Sequence, residues 1–89
     1  MNEIYCRLKD LESPDIIQDI FTEALEVPGY YGRNLDALYD VLTDLSDETK
    51  VILDFNDCNE EELPDAAVQL LRVLYDAAEE NDSLILEEV

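Results

Sequence analysis

Lys50-Val51-Ile52-Leu53-Asp54-Phe55 is the stretch on which the fold turns. It is short and almost continuously apolar. This is the pattern of a strand buried within a parallel sheet rather than of an amphipathic helix. Parallel neighbours require crossover segments, and helical periodicity appears on both sides of it. Upstream, Leu35, Leu38, Val41, Leu42 and Leu45 form one apolar stripe, predicting a helix from about Asn34 to Leu45. Downstream, Pro64 opens a helix that runs to about Glu80, with Ala67, Leu70, Leu71, Leu74, Ala77 and Ala78 inward. Asn81 can stop that helix in a left-handed cap, and Ser83-Leu-Ile-Leu-Glu87 reads as a last strand.

The amino-terminal third completes the pattern. Ile4, Cys6 and Leu8 alternate with Tyr5 and Arg7, predicting a first strand with one face more buried than the other. Ser13-Pro14 is a helix start, with serine as N-cap, proline at the first helical position and Asp15 in the first turn. Ile16, Ile17, Ile20, Phe21, Ala24 and Leu25 follow at helical spacing, and Val27-Pro28-Gly29 ends the run. Asn56 to Leu63 reads as an acidic loop with a short helical turn. The order strand, helix, helix, strand, helix, strand predicts an α/β fold of residues 1–89 as one domain. It has a three-stranded parallel sheet, right-handed crossovers, and three to four helices packed mainly on one face.

Charge narrows the function. The chain has 24 acidic and 5 basic residues, a formal net charge of −19. Such a surface repels nucleic acid and anionic membranes and accelerates the approach of a basic protein. Solubility, or adaptation to a salty cytosol, is the bland alternative for the global charge. With no histidine and no recognisable nucleophile–base pair, the chain reads as a non-enzyme without a cofactor. The acidic window Asp54 to Asp65 fails as a calcium loop: Cys58 stands where an oxygen ligand is needed and Asn59 where the sharp turn wants glycine. Cys6 and Cys58 match no metal spacing, and no signal segment or membrane-length apolar run is present. These features predict a cytoplasmic protein with both thiols reduced and no metal.

The local cluster is more specific than the global charge. In Pro28-Gly-Tyr-Tyr-Gly-Arg-Asn-Leu-Asp-Ala-Leu-Tyr-Asp-Val-Leu-Thr43, a loop punctuated by Gly29 and Gly32 runs into a helix with Asp36 and Asp40 one turn apart. Like charges at that spacing cost an isolated helix roughly 0.2–0.5 kcal/mol. Tyr30 and Tyr31 precede the pair and Tyr39 is interleaved. Carboxylates and tyrosines at one loop–helix corner suit a surface that enters a cationic groove. A solvated helix face with boundary aromatics is the plainer reading of each residue taken alone.

The run Tyr30-Tyr31-Gly32-x-Asn34-Leu35-Asp36-Ala37-Leu38-Tyr39-Asp40, followed by Leu42-Thr43, closely resembles the barstar family of intracellular ribonuclease inhibitors. The rest of the chain agrees more loosely, in length, element order and the segment Val73-Leu-Tyr-Asp-Ala77. The resemblance implies three parallel strands with four helices. It also implies a function: plugging the active site of a small, basic, secreted ribonuclease with the 28–45 loop and helix, in a 1:1 complex formed by a monomer. Asp40 matches the residue that occupies the enzyme's phosphate site; Tyr30, Gly32, Asn34, Asp36, Tyr39 and Thr43 match its surroundings, and Asp76 matches a further acidic contact. A ribonuclease site is a preorganised cationic pocket, so a carboxylate on a rigid helix can mimic the phosphate. Steering by opposite charge and losses above about 2 kcal/mol at such anchors are background known partly from this family's own inhibitor pair.

The chain departs from the family pattern at Arg33, where an acidic residue is common; at Tyr39, in place of tryptophan; at Asp44-Leu45, in place of glycine-tryptophan; and at Asp76, one methylene shorter than glutamate. Asn34 also suits capping its own helix. Two rival functions stay open: an acidic adaptor or immunity module for a different basic toxin, and an acidic protein that keeps the fold without a target.

Overall fold

The computed structural model describes residues 2–25, 27, 29, 31–56 and 58–89, with the side chain of Glu60 also set aside. Three strands, β1 (Asn2–Arg7), β2 (Thr49–Asp54) and β3 (Leu84–Glu88), form one sheet in that order, parallel throughout. Three α-helices, α1 (Pro14–Ala24), α2 (Leu35–Thr43) and α3 (Asp65–Glu80), make the connections. Two 3-10 turns, Leu8–Asp10 and Glu60–Glu62, add short helical pieces. The described residues thus hold three α-helices. The segment expected to be loop with a helical turn is that.

Register explains which face is covered. Ile4 lies beside Val51 and Val51 beside Leu86; Cys6 lies beside Leu53. These positions point to one side, where Ile4, Cys6, Val51 and Leu53 are buried with Phe21, Leu38, Leu42, Leu70 and Leu74 from the helices. Burial of the Cys6 thiol pushes its pKa up to about 12, which makes it a core residue rather than a reactive one.

On the opposite side stand Glu3, Tyr5 and Arg7, all exposed, next to Lys50, Ile52 and Asp54. The helices cover β2 on one face, in line with the expected packing of helices mainly on one side of the sheet. Ile52, on the open face, is half-buried, and it lies in register with Glu87, which forms an ion pair with Lys50 at 3.1 Å. Tyr5 donates to Asp54 Oδ2 across the same face, and the Asn56 N–H donates to Asp54 Oδ1 at 2.8 Å.

Some helix ends need correction. Ser13 caps α1 as its sequence predicts, its Oγ accepting from the Ile16 N–H. Yet α1 stops at Ala24, before the expected Val27-Pro28-Gly29 stop, of which Pro28 lies outside the described residues. Leu25 leaves the helix in an extended conformation and is buried there, while Ile16 and Ala24 are exposed. Pro64 opens α3 from the N-cap position, as its sequence predicts. Asn81 is extended (φ −139°), not left-handed, because its side chain has partners elsewhere.

Candidate functional site

α2 is built from both ends. Asn34 is its N-cap: the side-chain Oδ1 accepts from the Ala37 N–H at 2.8 Å, satisfying one of the orphan amides of the first turn. Just before it, the chain takes a left-handed turn at Arg33 (φ 51°), not at either described glycine. Gly32 matters for space instead: a Cβ there would lie 3.1 Å from the capping Asn34 Nδ2. Gly29 has open space around it.

At the carboxyl end every orphan carbonyl is met. The Thr43 hydroxyl donates back to the carbonyls of Tyr39 (3.0 Å) and Asp40 (3.1 Å). The Asp44 N–H takes the Val41 carbonyl at 3.2 Å. Asn81, from the corner between α3 and β3, donates to the carbonyls of Leu42 (2.9 Å), Thr43 (3.3 Å) and Leu45 (2.9 Å).

Between these fixed ends, Leu38 and Leu42 are fully buried and Leu35, Tyr39, Val41 and Leu45 pack partly against the core. The outer face is left to Asp36, Asp40 and Asp44, all exposed and spaced at one-turn intervals. Among the described residues neither Asp36 nor Asp40 makes an ion pair or side-chain hydrogen bond. A row of like charges with no internal counter-charge lowers the stability of its own helix. Its field favours the approach of positive charge.

The remaining predicted residues are placed as follows. Asp76 is exposed on α3, the helix against which α2 packs. Tyr39 is half-buried, so part of its ring remains available at the surface. The Thr43 hydroxyl and the Asn34 amide are committed to α2 itself. Gly32 is exposed beside the cap, and Tyr30 lies outside the described residues.

Arg33 does not stand free next to the acidic row. Its Nη2 sits 2.7 Å from Asp19 Oδ1 on α1, which neutralises it locally. The loop is further tied to α1 by Tyr31, whose hydroxyl donates to the buried Gln18 side chain. Burial pushes the Tyr31 pKa up, opposed by the nearby Arg33 charge. A cavity of about 310 Å³ opens next to this junction, lined in part by Gln18, Arg33, Asp36 and Gln69.

Sequence reasoning missed Gln18 and Asp19, and it read Asn81 only as the stop of α3. Gln18 occupies a core position of α1, and a polar residue within an apolar stripe was the signal that could have found it. Nothing local marks Asp19 as the partner of Arg33, 14 residues away, or Asn81 as the partner of the α2 carbonyls, 36 or more residues away.

Comparison with known proteins agrees with this geometry. The model of the family described as Barstar (barnase inhibitor) matches residues 1–86. A curated relative from Bacillus subtilis (strain 168), named "Putative ribonuclease inhibitor YrdF", is 38% identical over 82 residues, covering 90% of this chain and 89% of that protein. Three parallel strands, the helices on one face and a match over nearly the whole length lead to one conclusion: the chain belongs to the barstar family.

Proposed function

We propose that this protein inhibits a small, basic, secreted ribonuclease by filling its active site with the acidic surface of residues 28–45. The observation that carries the reading is the pair of exposed carboxylates, Asp36 and Asp40, without a partner among the described residues, on a helix tied down at both ends. Asp40 takes the place of the substrate phosphate among the cationic groups of the enzyme. Asp36 and Asp76 pair with flanking cations, while Tyr30 and Tyr39 pack against the enzyme surface. Gly32, Asn34 and Thr43 shape the loop and hold the helix rigid, so little ordering is left to be done on binding. The net charge of −19 steers the encounter, and salt slows it. The complex is 1:1, formed by a cytoplasmic monomer that needs no cofactor, and its role is self-protection against a toxic enzyme.

The test is RNA cleavage by a small basic ribonuclease secreted by the same organism, titrated with this protein, its Asp40→Ala variant and an Asp82→Ala control. Stoichiometric inhibition by wild type and control, lost in Asp40→Ala, is the expected outcome. Equal inhibition by all three removes Asp40 from the site. Tight binding without loss of cleavage favours the adaptor reading instead.

A further inference from the structure

We infer that Asn81 is the positioning residue of the acidic helix: from outside α2, it fixes the end that carries Asp40 and Asp44. The inference rests on the proposed function for its purpose, but on the structure for its geometry.

The Asn81 carboxamide sits at the junction of three segments. Its Nδ2 reaches the carbonyls of Leu42 and Leu45 at 2.9 Å each, with Thr43 at 3.3 Å as a weaker third acceptor. Its Oδ1 accepts from the Ser83 N–H at 3.0 Å, and this fixes which end of the amide faces α2. Turned over, the oxygen would face three carbonyl oxygens. The backbone of Asn81 is also held: its N–H donates to the Ala77 carbonyl at 2.9 Å, and its carbonyl accepts from the Leu84 N–H at 3.1 Å. One half-buried side chain thereby joins the end of α3, the start of β3 and the last turn of α2.

The last turn of α2 is the part most in need of such a tie. No basic residue stands there to offset the helix dipole, and Asp40 and Asp44 add negative charge to its negative end. Thr43 closes two carbonyls from within, but a hydroxyl on the same turn moves with that turn and cannot set its direction. Asn81 is the side chain outside the α2 segment that bonds its terminal carbonyls among the described residues. If the turn frays, Asp40 loses its fixed place. A flexible carboxylate must then be ordered during binding, which shortens the lifetime of the complex.

Asn81→Asp is the decisive variant. It is nearly isosteric and keeps the acceptor for Ser83, yet it replaces the donor to α2 with an anion facing its carbonyls. Asn81→Ala removes both, and Asp82→Ala serves as the neighbouring control. Amide hydrogen exchange on the free full-length protein reads the first half of the inference. Exchange in residues 41–46 should rise at least tenfold relative to α1 in Asn81→Asp, with the control unchanged. Uniform acceleration across the chain would mean a general stability role and overturn the inference, as would no local change. The dissociation rate from the ribonuclease used above reads the second half. It should rise about tenfold or more with little change in association rate; an unchanged dissociation rate overturns the positioning role. If the wild type itself fails to inhibit that enzyme, the proposed function falls, and the exchange pattern still decides whether Asn81 fixes the helix end. Should Asn81→Asp not fold, Asn81→Ala carries both readouts.

Discussion

Asp36 and Asp40 stand at opposite ends of the same helix dipole. Asp36 is in the first turn, where a negative charge is favoured; Asp40 is in the last, where it is not, and each repels the other. Asp40→Asn should therefore stabilise the free protein by about 1 kcal/mol, through relief from the dipole and from Asp36 and Asp44 one turn away on either side. Asp36→Asn should be neutral or slightly destabilising. Denaturant unfolding of the two variants checks the contrast; a loss of stability in Asp40→Asn would mean that the carboxylate has a partner in the fold. The entrance to α2 gives a second prediction. Asn34→Ala should cost about 1 kcal/mol, the usual loss of an N-cap. Gly32→Ala should cost no more than that, since its backbone needs no left-handed conformation and its Cβ only crowds the capping amide at 3.1 Å. Urea midpoints decide: a Gly32→Ala loss well above the Asn34→Ala loss would show that the glycine has another role.

At the scale of elements, the open face of the sheet predicts a pH signature. The hydrogen bond from Tyr5 holds the Asp54 carboxyl below the usual carboxylate range, helped by the Asn56 N–H. The same bond, with burial second, raises the Tyr5 hydroxyl above its ordinary value of 10.0. For Asp54 the depressed folded value gives stability that is present above pH 3.8 and lost as pH falls through the folded value. For Tyr5 the raised folded value gives stability that is present below pH 10.0 and lost as pH rises through the folded value. Tyr5→Phe should thus flatten both limbs of the stability–pH curve while leaving inhibition intact, because the β1–β2 open face lies apart from α2. Thermal unfolding from acid to alkaline pH checks it, and limbs as steep as those of wild type would discard the bond as a contributor.

For the molecule as a whole, the governing quantity is 24 carboxyl side chains against 5 basic ones on a body measuring 33 × 24 × 20 Å. Many like charges must lie within the screening length of about 10 Å at 0.1 M salt, so repulsion among them weakens the compact state. Added salt should raise the melting temperature of the free protein and slow its association with a basic ribonuclease. Melting scans from about 0.01 M to about 1 M salt, paired with stopped-flow association over the same range, read the two effects. A melting temperature independent of salt would mean that the surface charges are already compensated within the fold.

Most of the fold was legible in the sequence, and for a local reason. Helices and strands follow from periodicity, and the Ser13-Pro14 start and the Asn34 cap are set by residues within one turn of their partners. Parallel pairing followed from the alternation of elements, since strands joined by helices run the same way. Asp36 and Asp40 were readable as one exposed row because their spacing alone places them on one side of a helix. The rest needed the third dimension. The partial burial of Lys50 and Ile52 and the burial of Asp54 on the open face of β2 depend on which neighbours cover them, and the apolar run of β2 does not encode that. Neutralisation of Arg33 by Asp19, the Tyr31–Gln18 bond and the ties from Asn81 to α2 join residues 13 to 39 positions apart. Such contacts arise only after the core has brought distant segments together. The sequence by itself thus determined which helix carries the acidic row; only the tertiary structure decided what holds that row in place, because a side chain cannot announce a partner that folding has yet to deliver.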